Sequence, residues 1–270
     1  MDQIRIGDIS VSRMIIGGNP FSGFSHQSPE RNAEMKRYYT TARIKETLQK
    51  AESLGINSFL GRTDAHIMRV LAEYWDEGGT IQWIAQTAPE LNSTERSIEY
   101  ARSGGAKACY IHGGQADYML AQGQADGLGE SLSTIRAAGM PAGIAGHNPL
   151  VFEWTEANLD ADFYMCCYYN PSSRDRDPEH VAARSEWFKP EDRDRMTSLI
   201  KNLKKPVIHY KIMAAGRNNP TEAFRFAAGS MRPGDAVCVG FFTKDNPDMI
   251  EEDIHLFESA LAETGSPPRK

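Results

Sequence analysis

Cysteine is scarce in this sequence, which has four among 270 residues. Each cysteine falls inside a predicted buried strand, and the adjacent Cys166 and Cys167 are expected to point to opposite faces of theirs. This placement gives no sign of a disulfide framework, and the spacing does not fit a zinc knuckle. We therefore expect free thiols, a reducing compartment and a cytoplasmic protein. The four positions are Cys109, Cys166, Cys167 and Cys238.

Long apolar runs and basic clusters are also missing. No segment approaches the roughly 18 consecutive apolar residues of a membrane-spanning helix, and the first five residues do not begin an apolar signal region. The formal net charge is -6, the isoelectric point is about 5.7, and the basic residues are scattered along the chain. The sequence therefore predicts neither a membrane partner nor a nucleic-acid partner. The dinucleotide-binding spacing G-x-G-x-x-G is absent as well.

What the sequence does contain is an alternation of short β-rich runs and amphipathic helical segments. Eight such units can be counted, from residues 13–16 to residues 236–239, with a last helix expected to begin at Asn246-Pro247. A hairpin over residues 4–11, with Gly7-Asp8 at its turn, precedes them. Because no linker or change in composition divides the units, we predict an α/β fold. It is one (β/α)8 TIM barrel over residues 1–270 with an N-terminal β-hairpin cap.

Two long loops interrupt the alternation. Residues 19–39 are rich in Gly, Ser and Pro, and residues 170–189 separate the sixth barrel strand from the helix that follows it. Composition leaves two roles open for these loops, closure over a site or a subunit contact in a homo-oligomer.

Polar side chains gather after the carboxyl ends of the predicted strands, where barrel enzymes place their active sites. Five of the seven histidines, at positions 26, 66, 112, 147 and 209, lie at or just past a strand end. Other candidates for contact with a small-molecule substrate follow the same strands: Asn19, Arg62, Asp64, Gln86, Asn148, Tyr169, Tyr210, Lys211 and Arg217. The histidine cluster indicates acid/base or metal chemistry at this end of the barrel.

Two interpretations of the cluster stay open. His112, His147 and His209 could donate three imidazoles to one divalent metal. Alternatively, one histidine acts as general acid or base while Lys211, Arg217 and Lys244 hold an anionic group. The turn from Gly240 to Lys244 precedes the last predicted helix, so it could bind phosphate at a helix N-terminus.

The order of short motifs resembles that of the aldo-keto reductase superfamily. The similarity spans most of the chain and is carried by residues 9–13, 17–21, 54–59, 110–112, 168–171, 208–210 and 215–216. The resemblance implies the barrel with its hairpin cap. It also makes His112 the counterpart of the family's active-site histidine, and Tyr210 the counterpart of a tyrosine that stacks on nicotinamide.

The catalytic set of that family is mostly absent from this chain. Family members use Asp, Tyr, Lys and His, whereas here Leu60 stands at the Asp position and Gln86 at the Lys position. Residues 61–66 contain no tyrosine, and Ala145-Gly146 replaces the pair that grips the nicotinamide carboxamide. Only His112 matches. Carbonyl reduction would therefore lack its usual proton donor.

Three functions follow from these observations. The first is a non-redox isomerase, lyase or hydrolase acting on a small polyhydroxylated or carbonyl compound, with His112 as the leading acid/base and His66 and His147 beside it. The second is a divergent NAD(P)H-dependent reductase with a relocated proton donor, its cofactor held by Tyr210, Gly240 and Lys244. The third is a non-catalytic binding or regulatory barrel. The cofactor stays open between none, NADP and a divalent metal.

Overall fold

Eight parallel strands close into one barrel in the computed structural model, which describes residues 1–171 and 187–265. The barrel strands are β3 (Met14–Gly17), β4 (Ser58–Arg62), β5 (Gln82–Gln86), β6 (Ala108–Ile111), β7 (Ala142–Gly146), β8 (Phe163–Cys167), β9 (Val207–Tyr210) and β10 (Ala236–Val239). They pair in sequence order, and β10 pairs with β3 to complete the ring. The predicted (β/α)8 barrel is therefore confirmed.

An antiparallel hairpin precedes the barrel, as the sequence predicts. It consists of β1 (Gln3–Ile6) and β2 (Ile9–Ser12), and Gly7 at its turn has φ +56°, a left-handed conformation that glycine adopts without strain. Ile4, Ile6 and Val11 on its inner face pack with side chains from inside the barrel. The hairpin therefore closes the end of the barrel opposite the mouth.

Helices surround the barrel, and most of them follow a strand directly. Their bounds are α1 (Asn19–Ser22), α2 (Pro29–Tyr38), α3 (Thr41–Ser53), α4 (Ala65–Asp76), α5 (Thr94–Ser103), α6 (Gly113–Ala121), α7 (Gly127–Ala137), α8 (Pro149–Asn158), α9 (Pro190–Ile200), α10 (Pro220–Ser230) and α11 (Met249–Glu263). Short 3-10 turns lie at Pro89–Leu91 and Ala214–Gly216. None of the helices within the described residues is long and apolar enough to cross a membrane.

Side chains on successive strand positions alternate between two cores. One core lies inside the barrel and includes Ile84, Tyr110 and Ile208. The other lies between the strands and the helices and includes Trp83 and Val207. Because this alternation has a period of two, the parity of a residue in its strand decides whether it can reach the mouth.

Three expectations about chain segments need correction. Residues 19–39 are not one loop, because α1 and α2 form there, with Ser28 capping α2 and Pro29 in its first turn. A helix that the sequence reading missed, α6, directly follows β6. The last helix begins at Met249 rather than at Asn246-Pro247. Most of the predicted loop 170–189 lies outside the described residues.

Replacing Gly143 by alanine is expected to lower the free energy of unfolding by about 1–3 kcal/mol. A Cβ at this position of β7 would overlap the Phe163 ring, which is fully buried inside the barrel. The matched control is Gly229→Ala near the end of α10, where a Cβ meets nothing within 4 Å. Urea unfolding should show no loss for the control, and a Gly143→Ala protein as stable as wild type would contradict the tight packing.

Candidate functional site

The strand ends place two groups of inward-facing polar side chains at the mouth of the barrel. On one side Arg62, Gln86 and Tyr110 stand in register across three neighbouring strands. On the other side Cys167 and Cys238 are in register with Tyr210 between them. The mouth therefore combines a guanidinium, an amide, two phenols and two thiols.

His147 follows β7 and is held by a carboxylate that sequence reasoning missed. Its Nδ1 lies 2.7 Å from Oδ2 of Asp117, and only 5% of His147 and 7% of Asp117 are exposed. The same carboxylate accepts hydrogen bonds from the backbone N–H groups of His147, at 3.1 Å, and Asn148, at 3.0 Å. These bonds fix the orientation of the imidazole and favour a proton on Nδ1.

With Nδ1 turned to Asp117, the Nε2 atom of His147 faces the mouth. The Tyr210 hydroxyl lies 3.4 Å from Nε2, and the two rings meet edge to face at 6.0 Å. A Cβ at Gly113 would lie 3.2 Å both from His147 Cε1 and from the Tyr210 hydroxyl, so a glycine here keeps that space open. Carboxylate, imidazole and phenol thus form a continuous chain.

The Tyr210 phenol, which contacts His147, is protonated at neutral pH. Burial raises the pKa of Tyr210 well above its usual value, and the neighbouring Cys167 and Asp117 raise it further. Burial also raises the pKa of Cys167, to about 11, although the Lys211 charge acts in the opposite direction. Tyr210 is therefore a hydrogen-bond donor rather than a phenolate, and Cys167 is a thiol rather than a nucleophile.

Asp117 lies in α6, the helix that immediately follows β6. Because residues four apart lie on the same face of a helix, Asp117 lies on the face of α6 that carries Gly113, and this face is next to β7. The sequence signal for it was Gly113-Gly114 directly after a strand, followed by a helical stretch ending near Ala121. Asp117 was not among the predicted site residues, which were taken from the ends of the strands alone.

The other two predicted catalytic histidines have different surroundings. His112 directly follows β6 and precedes Gly113 at the start of α6, and its backbone N–H donates to Thr87 Oγ1 at 2.9 Å. The residue after it, Gly113, packs against His147, because a Cβ at Gly113 would lie 3.2 Å from His147 Cε1. His66 lies exposed in the first turn of α4.

The predicted three-histidine metal site does not form. His209 is in β9, but its side chain faces the helices, since the neighbouring Ile208 and Tyr210 face the barrel interior. It is fully buried and contacts the Tyr168 hydroxyl, 2.9 Å from Nδ1, and Asp235, 3.4 Å from Nε2. Across residues 1–171 and 187–265 no group of three His, Cys, Asp or Glu side chains is placed to hold a metal ion.

Several predicted substrate contacts have structural partners instead. Asp64 and Asn148 cap α4 and α8, accepting from Ile67 N and Leu150 N. The Tyr169 hydroxyl accepts from Asn218 at 2.8 Å. Asn19 lies at the start of α1 with its amide nitrogen 3.4 Å from His26 Nε2.

The two arginines among these candidates are likewise paired. Arg62 forms an ion pair with Glu90 and lies over the Phe24 ring. Arg217 donates to the carbonyl oxygens of Ala214 and His26. It also stacks on Phe188, 4.3 Å from the ring centroid. Lys211 differs from both, because it forms no ion pair with any residue of the described ranges.

The turn from Gly240 to Lys244, predicted to hold a cofactor phosphate, lies against α1 and α2. Lys244 forms an ion pair with Glu34 of α2 at 2.6 Å. Hydrogen bonds from Lys244 and from Arg31 lower the pKa of Glu34 to about 2. A Cβ at Gly240 would lie 2.9 Å from the Pro20 ring. A surface groove of about 780 Å³ runs beside α2, lined by Lys244 and by mixed charges of the helix.

Comparisons with known proteins identify the fold. No family model matches the sequence, and no curated protein matches it. A solved structure from Pseudomonas aeruginosa, assigned to the aldo-keto reductases, is 15% identical, with 96% of each chain covered and a TM-score of 0.63. An aldo-keto reductase from Bacillus halodurans is 11% identical, with 100% of this chain and 98% of the other covered and a TM-score of 0.63.

The same comparison also returns an enzyme of a different kind. A truncated 3-deoxy-D-arabino-heptulosonate 7-phosphate synthase from Thermotoga maritima is 13% identical, with 98% of this chain and 94% of the other covered and a TM-score of 0.58. At these identities the similarity shows the (β/α)8 barrel fold alone, and the reaction has to be inferred from the side chains of the candidate site.

Proposed function

Because the chain has an aldo-keto reductase-like barrel without that family's catalytic set, we propose that it is a non-redox enzyme. Its substrate is a small carbonyl or polyhydroxylated compound, and its chemistry is proton transfer by a histidine. The observation that carries the proposal is the 2.7 Å contact between Asp117 and His147, at the end of the barrel where such enzymes place their sites. His147, rather than His112, is therefore the leading acid/base.

The geometry supports a simple sequence of proton movements. Nε2 of His147 removes a proton from the carbon next to a substrate carbonyl, and the imidazolium so formed is stabilised by the Asp117 carboxylate on Nδ1. The Tyr210 phenol, 3.4 Å from Nε2, donates a hydrogen bond to the carbonyl oxygen and keeps its own proton. The imidazolium then protonates the former carbonyl carbon, while the proton of the adjacent hydroxyl group moves to the former carbonyl oxygen. The carbonyl group is thereby shifted by one carbon, and all atoms are conserved.

The reductase alternative has less support in this arrangement. Leu60 is buried in the interior core, at the position that the resemblance gives to the catalytic aspartate. Gln86, at the lysine position, carries no charge and contacts Tyr110, whose pKa burial raises well above its usual value. The turn expected to hold the cofactor carries the Lys244–Glu34 ion pair. The two described tyrosines of the mouth, Tyr110 and Tyr210, both have a pKa well above the usual value because they are buried. Neither is therefore tuned to protonate the alkoxide that hydride transfer would form.

Replacing His147 by asparagine is expected to slow proton exchange on a suitable substrate by about a hundredfold or more, because the variant loses its general base. The assay incubates the full chain in D2O with a panel of small aldoses, ketoses and hydroxy acids, and follows loss of the C–H signal by NMR. His66→Asn is the matched control, since this histidine is exposed on α4. Circular dichroism and the thermal midpoint check that each variant is folded.

Two results would contradict the proposal. One is exchange that survives in a folded His147→Asn protein, or that falls equally in the His66→Asn control. The other is saturable micromolar binding of NADPH or NADH, followed by nicotinamide fluorescence, which would support the reductase instead.

A further inference from the structure

Lys211 directly follows Tyr210 and has a backbone conformation that lysine rarely adopts. Its φ is +57°, in the left-handed region, and Ala214 and Ala215 a few residues later have φ +47° and +56°. Non-glycine residues keep such a conformation only where the surrounding structure enforces it. Strain of this kind is common in segments that position a functional side chain.

Hydrogen bonds hold this segment in place. The N–H of Ala214 donates to the carbonyl of Lys211 at 2.9 Å, and Gly216 N–H donates to Met213 at 2.9 Å. From outside the segment, the Gln27 side chain donates to the carbonyl of Ala215 at 2.8 Å. The backbone at Lys211 is therefore fixed, and its side chain starts from a defined direction at the mouth.

The ammonium of Lys211 has no counterion among the residues that the structure describes. Other basic side chains around the mouth have partners: Arg62 forms an ion pair with Glu90, Lys244 forms one with Glu34, and Arg217 donates to two carbonyl oxygens. Lys211 is partly buried, and a positive charge taken out of water without a partner is costly. An anion from solution would remove that cost.

The charge also lies on the same side of the mouth as the proposed acid/base pair. Both the Lys211 ammonium and the Asp117 carboxylate act on the Cys167 thiol, one lowering and the other raising the pKa that burial has already raised. Cys167 stands in register with Tyr210, whose hydroxyl approaches His147. A small molecule that contacts Nε2 of His147 therefore lies on the same side of the mouth as Lys211, the residue that follows Tyr210.

We propose that Lys211 binds an oxyanion of the substrate, either a carboxylate or a phosphate monoester. The inference rests on the proposed function, and it narrows the substrate class to anionic hydroxy or carbonyl compounds. A lysine offers a compact positive charge on a flexible stem, which suits an oxyanion of either geometry. The anion would anchor one end of the substrate while the carbon beside its carbonyl faces His147.

The test measures binding rather than turnover, with three matched probes: glycerol, glycerate and glycerol 1-phosphate. Each is titrated at constant ionic strength into the wild-type chain, Lys211→Met, Lys211→Arg and the control Lys107→Met, with NMR shifts as the readout. Lys107 is exposed at the opposite end of the barrel, just before β6. We expect at least one anion to bind more tightly than glycerol and to lose about tenfold in affinity in Lys211→Met alone. Lys211→Arg should keep most of the affinity.

Either of two results overturns the inference: equal anion affinity in wild type and Lys211→Met, or no preference for an anion over glycerol. Preference for glycerate identifies the carboxylate, and preference for glycerol 1-phosphate identifies the phosphate ester. A Lys211→Gly protein, in which φ +57° is unstrained, keeps the fold and must also lose the anion. The two proposals can fail separately. If His147→Asn still binds the anion and proton exchange on the substrate is the same with and without His147, the proposed function is wrong but the inference about Lys211 holds.

Discussion

Replacing Asp235 by alanine is expected to lower the free energy of unfolding by about 3–5 kcal/mol. The substitution leaves the Arg232 guanidinium without its counterion and the buried Val207 N–H without its acceptor. The carboxylate is fully buried and accepts from Val207 N at 2.9 Å, Arg232 N at 2.8 Å and Arg232 Nη2 at 2.8 Å. It also faces His209 Nε2 at 3.4 Å. Burial opposes its ionisation, yet the bonds from His209 and Arg232 hold its pKa at about 2.

The sign of its pH dependence follows from that pKa. Since the pKa is lower in the folded chain than the ordinary value near 3.8, the stabilisation is present above about pH 4 and is lost as the pH falls toward 2. Urea unfolding at pH 7 measures the effect, with Asp160→Ala as control, an exposed carboxylate paired with Lys205. The control should change by less than about 1 kcal/mol. An Asp235→Ala protein as stable as its control would refute the role given to the network.

Replacing Asp253 by asparagine is expected to stabilise the protein at alkaline pH, by up to about 4 kcal/mol. This aspartate lies in α11, buried among Ile250, Ile254 and Phe257, and no other described side chain donates a hydrogen bond to it. Burial, with a smaller contribution from the charge of Glu252, raises its pKa to about 7. Above that pH the folded chain must hold a charge in an apolar setting.

The direction of this effect is opposite to that of Asp235. With the folded pKa raised above the ordinary 3.8, Asp253 costs nothing below about pH 4, and stability declines as the pH rises to 7, after which the loss is constant. Urea unfolding of wild type and Asp253→Asn should therefore agree near pH 4 and diverge by pH 8. Glu258→Gln, exposed on the same helix, is the control. If the free energies of unfolding of wild type and Asp253→Asn differ by the same amount from pH 4 to pH 8, Asp253 is solvated in the folded protein and the prediction is wrong.

The barrel was predictable because its signals are repeated in every unit. Each strand is a short apolar run, and each helix start has its own local chemistry, such as the Asp64 side chain that accepts from Ile67 N. The prediction of one long loop over residues 19–39 was wrong for a local reason, since Gly, Ser and Pro are typical of loops but also of helix starts. Ser28 and Pro29 are the cap and first residue of α2, which buries only Met35 and so has almost no apolar face.

For the candidate site, the sequence predicted where polar side chains would gather but not which of them the structure brings together. The expectation that residues following the carboxyl ends of the strands lie at the mouth holds for His147, because all eight parallel strands end there. It failed for His209, since the parity of a short strand cannot be read when both faces are buried. It also missed Asp117, because a carboxylate that reaches the site from a neighbouring helix leaves no mark in the strand pattern.

Strand β9 carries two histidine-centred chains on its two faces, and this restricts how the sequence can evolve. Its Tyr210 completes the Asp117–His147 chain at the mouth, while His209 joins Tyr168 to Asp235 beneath the helices. Inserting or deleting one residue within β9 would exchange the two faces, and both chains would be lost together. Point substitutions can be selected singly at these positions, but changes of length can be accommodated only in the segments that flank the strand.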